Sequence, residues 1–324
     1  MPWQKIKITG NESGEIMFEK IFGGKDSLVK SLPKVRGQYI EKAKLAKYTW
    51  FGVGGPAEVL YLPADYDDLK TFLILKPEAV PTTIIGGGSN LLIRDGGIPG
   101  VVIKLDAPEF SKVTFNGVEV TVGAGLKNGD LKKELIEHEV GGLEFICSVP
   151  GRIGGLLRTN AGCFNRSVSD VFVKAHIMNE WGEIYEVGAE DFNFSYRGSL
   201  FPESWIILDV TLRGIISDAE KIKKTMEEKL EYRRARQPIN KKTAGSTFKN
   251  PEGLNAWKLI DEAGCRGLKV GGAEVSDMHC NFLINRGNAS AADLEELGEM
   301  IIEKVKEKTA ITLEWEVRRM GVKK

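Results

Sequence analysis

Thr243-Ala244-Gly245-Ser246-Thr247-Phe248-Lys249-Asn250-Pro251 sets one hydroxyl behind small residues, with a lysine and an amide three and four places on. A serine left open in this way can give its proton to a charge-stabilised carbanion despite its high intrinsic pKa. The same residues also suit a Ser/Thr turn that caps a helix, and no Gly-x-Ser-x-Gly elbow is present. Phe194-Ser195-Tyr196-Arg197-Gly198-Ser199 places an aromatic ring and an arginine in a loop between strands. Arg197 can hold a carboxylate or phosphate at two points, or simply decorate the surface. In the tail, Leu313-Glu314-Trp315-Glu316-Val317-Arg318-Arg319, strand alternation puts Glu314, Glu316 and Arg318 on one face. Leu313, Trp315 and Val317 take the other. Of the three histidines, only His279, beside Cys280 and Asn281, sits in a small polar cluster.

Two glycine clusters accompany these residues. Ile84-Ile85-Gly86-Gly87-Gly88-Ser89-Asn90-Leu91-Leu92 reads as a strand ending in bare backbone, which lets a pyrophosphate approach N–H groups closely. The three-glycine dinucleotide fingerprint is not matched. The second cluster is Ser148-Val149-Pro150-Gly151-Arg152-Ile153-Gly154-Gly155, followed by Asn160-Ala161-Gly162. Two clusters this near in sequence suit one large, two-ended cofactor, or else two unrelated turns.

The elements that must position these residues follow a strand–helix–strand rhythm. Strands are expected at Val59 to Leu62, Pro81 to Ile85, Val101 to Leu105, Ala175 to Met178 and Trp205 to Leu212, with alternating β-structure over Val113 to Val122. Helices are expected at Lys25 to Leu32 (short), Tyr66 to Leu75 and Leu131 to His138. From Asp218 a charged helix runs towards Pro238 with Ile222, Met226 and Leu230 on one face. Ser290-Ala291-Ala292-Asp293 resembles a capping box, ahead of the stripe Leu294, Leu297, Ile301 and Val305. The expected organisation is a peripheral arm over 1–45, a first domain over 46–216, a second over 217–312 and a tail over 313–324.

At 324 residues, several subdomains are expected. Lysine plus arginine and aspartate plus glutamate both number 45, so no net field draws the chain to nucleic acid or membrane. Cys147, Cys163, Cys265 and Cys280 form no CxxC pair, so neither zinc nor any other metal is expected. A reduced cytoplasmic setting fits them. No apolar run approaches the ~18 residues of a membrane span.

Taken in order, these motifs resemble the UDP-N-acetylenolpyruvoylglucosamine reductase family over roughly residues 46 to 321. The resemblance rests on Phe51 to Ala57, Gly86 to Leu92 with Arg94-Asp95-Gly96-Gly97, Gly142 to Phe145, Pro150-Gly151 and Gly154-Gly155. Asn160-Ala161-Gly162, Tyr196-Arg197, Gly245 to Pro251 and Glu316-Val317-Arg318 complete it. Two departures stand out: Leu156-Leu157-Arg158-Thr159 replaces the usual Ala-x-x-Met, and Arg152 replaces a small residue. The tyrosine-bearing insertion of one subclass is not visible between Leu212 and Pro238, which points to the shorter subclass.

The resemblance implies an α+β protein. An FAD-binding domain of the vanillyl-alcohol-oxidase type, made of two α+β lobes, would be joined by a separate α+β substrate-binding domain. It implies FAD as bound cofactor and NADPH as co-substrate, with reduction of UDP-N-acetylglucosamine enolpyruvate to UDP-N-acetylmuramate in peptidoglycan biosynthesis. Gly86, Gly87, Gly88, Ser89, Asn90 and Leu91 would hold the pyrophosphate. Pro150, Gly151, Gly154, Gly155, Asn160, Ala161 and Gly162 would line the flavin and ribityl region. Hydride would pass from flavin N5 to C3, a proton from Ser246 to C2, and Arg197 and Glu316 would stabilise the enolate. Tyr196, Lys249, Asn250, His279, Arg318 and Arg236 would bind the sugar nucleotide. The expected protein is a cytoplasmic monomer with no nucleic-acid or membrane partner. A sugar or lactone oxidase using oxygen, and a non-catalytic nucleotide-binding module, are the rival readings.

Overall fold

Val101-Val102-Ile103 lies in a strand, Ile98–Lys104, that runs parallel to Pro56–Leu62 on one side and to Thr82–Ile85 on the other. A parallel strand covered on both faces needs an unbroken apolar run, and this one has it. Val101 and Ile103 face one core, while Val102 joins Leu60, Ile85 and Ile93 in another. A computed structural model describes residues 27–324 of the chain. In it the first lobe is a four-stranded sheet, completed by Gln38–Lys44 pairing antiparallel with Pro56–Leu62. The helix Tyr66–Leu75 buries Leu69, Phe72 and Leu73 against this sheet.

Gln38–Lys44 corrects the expectation of a peripheral arm up to residue 45. It is an edge strand with only Ala43 buried, and an edge tolerates the charged residues that hide its periodicity. Of the short helix expected over Lys25 to Leu32, the turn Leu28–Ser31 is present. Lys25 lies outside the described residues.

The second lobe is a five-stranded antiparallel sheet. Its order is Ile184–Val187, Phe172–Met178, Ile206–Arg213, Glu119–Gly123, Val113–Asn116. Helices Leu131–Glu137, Glu144–Ser148 and Ile153–Arg158 join it in a core shared with the first lobe. The helix Ala219–Arg234 also belongs here, because Ile222 and Met226 are buried in that same core. Core membership therefore ends the first unit near Pro238 and not at residue 216.

The remaining unit packs the short strands Lys269–Val270, Ala273–Val275 and Leu283–Asn285 against the helices Ala256–Glu262 and Ala291–Thr309. Ser290 and Asp293 form the expected capping box, and Leu294, Leu297, Ile301 and Val305 are fully buried. Phe51, Val53 and Leu92 from the first lobe enter this core, so the two units share an apolar seam. The tail returns across it. Arg318–Met320 pairs in parallel with Leu91–Ile93, with Arg318 opposite Leu91.

Candidate active site

The two glycine clusters meet. A Cβ added at Gly87 would lie 2.8 Å from Gly151 Cα and 3.1 Å from its carbonyl carbon, so only bare backbone fits this approach. Ser89 Oγ donates to the Pro150 carbonyl at 3.0 Å, and Asn128 N–H donates to the Gly151 carbonyl at 3.0 Å. Gly88, at φ +65°, presses against the Tyr48 carbonyl and leaves no room for a side chain. The facing turns border a cleft of about 620 Å³, within the size of small-molecule and cofactor sites.

Cations dominate that cleft. Among the described residues, Lys47, Lys104, Lys127, Arg152 and Arg233 line it, against Asp130 as the one acidic lining residue. Lys104 and Arg152 share Asp106, and burial pushes the Lys104 ammonium below its ordinary pKa. Arg233 was missed by sequence reasoning, although it extends the stripe Ile222, Met226, Leu230 by one more turn. Arg236 is exposed, stacked 3.9 Å over the Tyr232 ring, and does not line the cleft. Arg233 lies in the last turn of the helix Ala219–Arg234, where it donates to the Ser148 carbonyl, whereas Arg236 lies past the helix end and folds back on Tyr232.

On the far wall Gly245, Thr243 and Phe282 join the lining, and Phe282 pairs with Ser246 in an isolated β-bridge. Thr243 is buried and its hydroxyl has no partner among the described residues. Thr247, next to Ser246, is locked on both sides. Its N–H donates to the Asn281 carbonyl at 2.7 Å, and its carbonyl accepts from Glu316 N–H at 2.8 Å. The buried Asn281 amide adds two bonds to Phe248, accepting from its N–H at 2.9 Å and donating to its carbonyl at 2.8 Å. Asn281 thus acts as a piece of strand that holds the serine-bearing segment.

Glu316 is therefore hydrogen-bonded to the residue that follows Ser246, and its carboxylate faces Arg197. Arg197 Nε lies 3.0 Å from Glu316 Oε1, with side chains 25% and 19% exposed. The Nε–H is not aligned on that oxygen and remains without a hydrogen bond. Burial raises the Glu316 carboxyl above its ordinary pKa, against the opposing pull of Arg197 and Lys249. Arg197 is held at φ +57°, an uncommon backbone state for a side chain of this size. Asn160 supports this turn: its amide donates to the Ser195 carbonyl at 2.9 Å and its Oδ1 accepts from Ser169 N–H at 3.1 Å. Tyr196 is 56% exposed, with the Arg197 guanidinium 5.3 Å from its ring.

The other expected residues divide. Gly154 donates to the Ala124 carbonyl at 2.9 Å, and neither it nor Gly155 lines the cleft. Gly162 and Ala161 shape the strand turn beside Asn160. Lys249 Nζ lies 3.3 Å from Glu314 Oε2. Asn250 Oδ1 accepts from Ala256 N–H at 2.9 Å, so its oxygen anchors the start of the helix Ala256–Glu262. His279 packs its ring on Phe282 at 4.7 Å, and burial lowers its pKa, keeping the imidazole neutral near pH 7. Arg318 pairs with Glu203. Among the described residues no group of three or more His, Cys, Asp or Glu could hold a metal, and no helix is long and apolar enough to cross a membrane.

Comparison with known proteins agrees with this arrangement. Residues 57–188 match the family described as FAD binding domain, and residues 237–320 match UDP-N-acetylenolpyruvoylglucosamine reductase, C-terminal domain. The chain is 48% identical over 293 residues to the UDP-N-acetylenolpyruvoylglucosamine reductase of Paramagnetospirillum magneticum, covering 90% of this chain and 95% of that protein. It is 47% identical over 298 residues to the protein of that name from Parvibaculum lavamentivorans, covering 92% and 96%. The solved structure of the reductase from Thermus caldophilus superposes with a TM-score of 0.76 at 34% identity, covering 89% of this chain and 100% of that one.

Proposed function

The chain belongs to the UDP-N-acetylenolpyruvoylglucosamine reductase family, and from that premise we propose that it uses NADPH and FAD to reduce UDP-N-acetylglucosamine enolpyruvate to UDP-N-acetylmuramate for peptidoglycan biosynthesis. The observation that carries this reading is the half-buried Arg197–Glu316 pair, with Glu316 hydrogen-bonded to the residue after Ser246, while Gly245 and Phe282, the neighbour and the bridge partner of Ser246, line the cation-rich cleft.

The residues present fit FAD. Bare backbone at Gly87 and Gly151, the cations Lys47, Lys104, Lys127, Arg152 and Arg233, and the unpartnered Thr243 hydroxyl suit a diphosphate joined to a flat ring. When bound, FAD carries the hydride that arrives from NADPH and is delivered to C3 of the enolpyruvyl group. The turn Gly86 to Leu91 would hold the pyrophosphate, and Pro150 and Gly151 would line the flavin and ribityl region.

The protein's task is the charge that develops on C2 and its carboxylate. Arg197 grips that carboxylate through its planar fork, which the unaligned Nε–H leaves free to do. Glu316, whose burial favours the protonated acid, donates to the same group without adding a negative charge. Ser246 gives its hydroxyl proton to C2; no described residue engages that hydroxyl beforehand. Lys249 and Arg318 hold the diphosphate, with Tyr196, Asn250 and His279 beside them. Arg236 has no part. The protein works as a monomer in the cytoplasm, in keeping with its four free cysteines.

Visible absorbance tests the reading. The purified protein should be yellow, bleach when NADPH is added without oxygen, and regain colour with the enolpyruvyl sugar nucleotide. A colourless protein that FAD does not reconstitute, or a reduced flavin indifferent to the sugar nucleotide, contradicts it.

A further inference from the structure

Arg158 stands within the stretch that departs from the family pattern, and its contacts give it a job. Its guanidinium lies 4.8 Å from the Phe201 ring. It donates to the carbonyls of Phe201 at 3.0 Å and Pro202 at 2.6 Å, and to that of Trp205. These carbonyls bracket Glu203 on both sides, so one largely buried cation pins the loop that carries it. Ser199 Oγ, donating to the Arg158 carbonyl at 3.0 Å, ties the same loop back to the Tyr196–Arg197 turn.

Glu203 reaches across to Arg318 of the tail. Arg318 follows Glu316 by two residues, and both pair with the loop, while Val317 between them is buried in the second unit's core. Loop and tail are thus joined by two ion pairs of opposite polarity. Arg197 of the loop meets Glu316 of the tail, and Glu203 of the loop meets Arg318 of the tail. The first pair is largely buried, whereas the second is open, with Glu203 81% and Arg318 40% exposed. Arg158 also feels the charges of both Arg318 and Glu203. Arg318 pairs with that solvent-exposed carboxylate directly, whereas Arg158 holds the backbone on either side of it.

We propose that Glu203 is a place-holding anion: it occupies the Arg318 guanidinium in the free protein and yields it to the diphosphate of the sugar nucleotide, so that it sets affinity for that substrate. The inference rests on the reading that Arg318 faces the sugar nucleotide. An exposed ion pair is weak and screened by salt, so a ligand with two phosphate charges displaces a single carboxylate. Arg158 keeps Glu203 close enough to compete. Glu203 acts through Arg318 and touches no reacting atom.

Glu203→Gln keeps the side chain's size and removes only its charge. In the FAD-loaded protein, calorimetric titration with UDP should show affinity about two- to fivefold tighter than wild type, the span that an exposed pair supports. KM for the sugar nucleotide should fall by the same factor with little movement of kcat, and the difference should shrink as salt is raised. In an Arg318→Gln background the same Glu203→Gln change should have no effect on UDP affinity. Equal or weaker UDP binding by Glu203→Gln overturns the inference, as does a gain that persists undiminished without Arg318. Flavin reoxidation by the sugar nucleotide separates the two levels. If wild type turns over and Glu203→Gln binds no tighter, the place-holder alone is wrong. If neither protein is reoxidised or binds UDP, the functional reading goes with it.

Discussion

Asn90 donates its side-chain amide to the Glu316 carbonyl at 3.1 Å, across a sequence separation of 226 residues. Arg318 N–H returns a bond to the Asn90 carbonyl at 3.0 Å. The last residue of the glycine-rich turn and the acid of the tail are thereby parts of one hydrogen-bonded unit. On the function proposed above, this couples the cofactor cradle to the proton-handling site, as hydride and proton delivery to adjacent carbons would demand.

Ser246→Ala should leave bleaching of the flavin by NADPH nearly intact and slow reoxidation by the sugar nucleotide by roughly 10²- to 10⁴-fold, the usual worth of a positioned general acid. Anaerobic stopped-flow absorbance measures each half separately. Equal slowing of both would make the serine a structural residue.

Arg197→Lys keeps the charge and discards the fork. Reoxidation should slow by about 10²- to 10³-fold, as on loss of one preorganised donor to a developing anion. FAD content, read from visible absorbance per protein, should not change. Near-normal turnover would remove Arg197 from the site.

Gly87→Ala drives a methyl group into the Gly151 backbone. Overpacking of this kind costs ~1–3 kcal/mol, and it falls on the turn proposed above to hold the cofactor. The variant should purify with markedly less FAD and show a smaller rise in melting temperature when FAD is added. Full retention of FAD would show that the two turns do not jointly hold it.

Glu316 sets a pH limb. Its folded pKa is raised above the ordinary 4.5, so the folded protein holds this proton more tightly than the unfolded chain. Stability and the reoxidation rate should both fall as pH rises through that raised value. Glu316→Gln should be slower at its best pH, yet lack this limb in both profiles. A limb that survives in the variant belongs to another group.

Local periodicity told much of this in advance. The capping box at Ser290, the buried stripe from Leu294 to Val305 and the apolar run Val101 to Ile103 are each dictated by neighbours in sequence, so their elements could be read directly. The two sides of the tail were legible for the same reason: Leu313 and Val317 are buried in the second unit's core, while Glu316 and Arg318 turn the other way, to Arg197 and Glu203. Edge strand Gln38–Lys44 was not, because an edge exposes most of its side chains and carries little pattern. The assignment of helix Ala219–Arg234 to the first unit was hidden too, since its stripe says that it packs but not on what.

The site divides along the same line. Sequence alone supplied the residue types: side-chain-free turns, a fork-shaped cation, a hydroxyl and an acid, in the order that marks the family. Only the fold set Gly87 against Gly151, brought Glu316 beside Arg197 with enough burial to raise its carboxyl pKa, and put Arg233 on the cleft wall. Desolvation and close approach arise between segments tens to hundreds of residues apart. No local pattern encodes them; they exist once the chain has closed on itself.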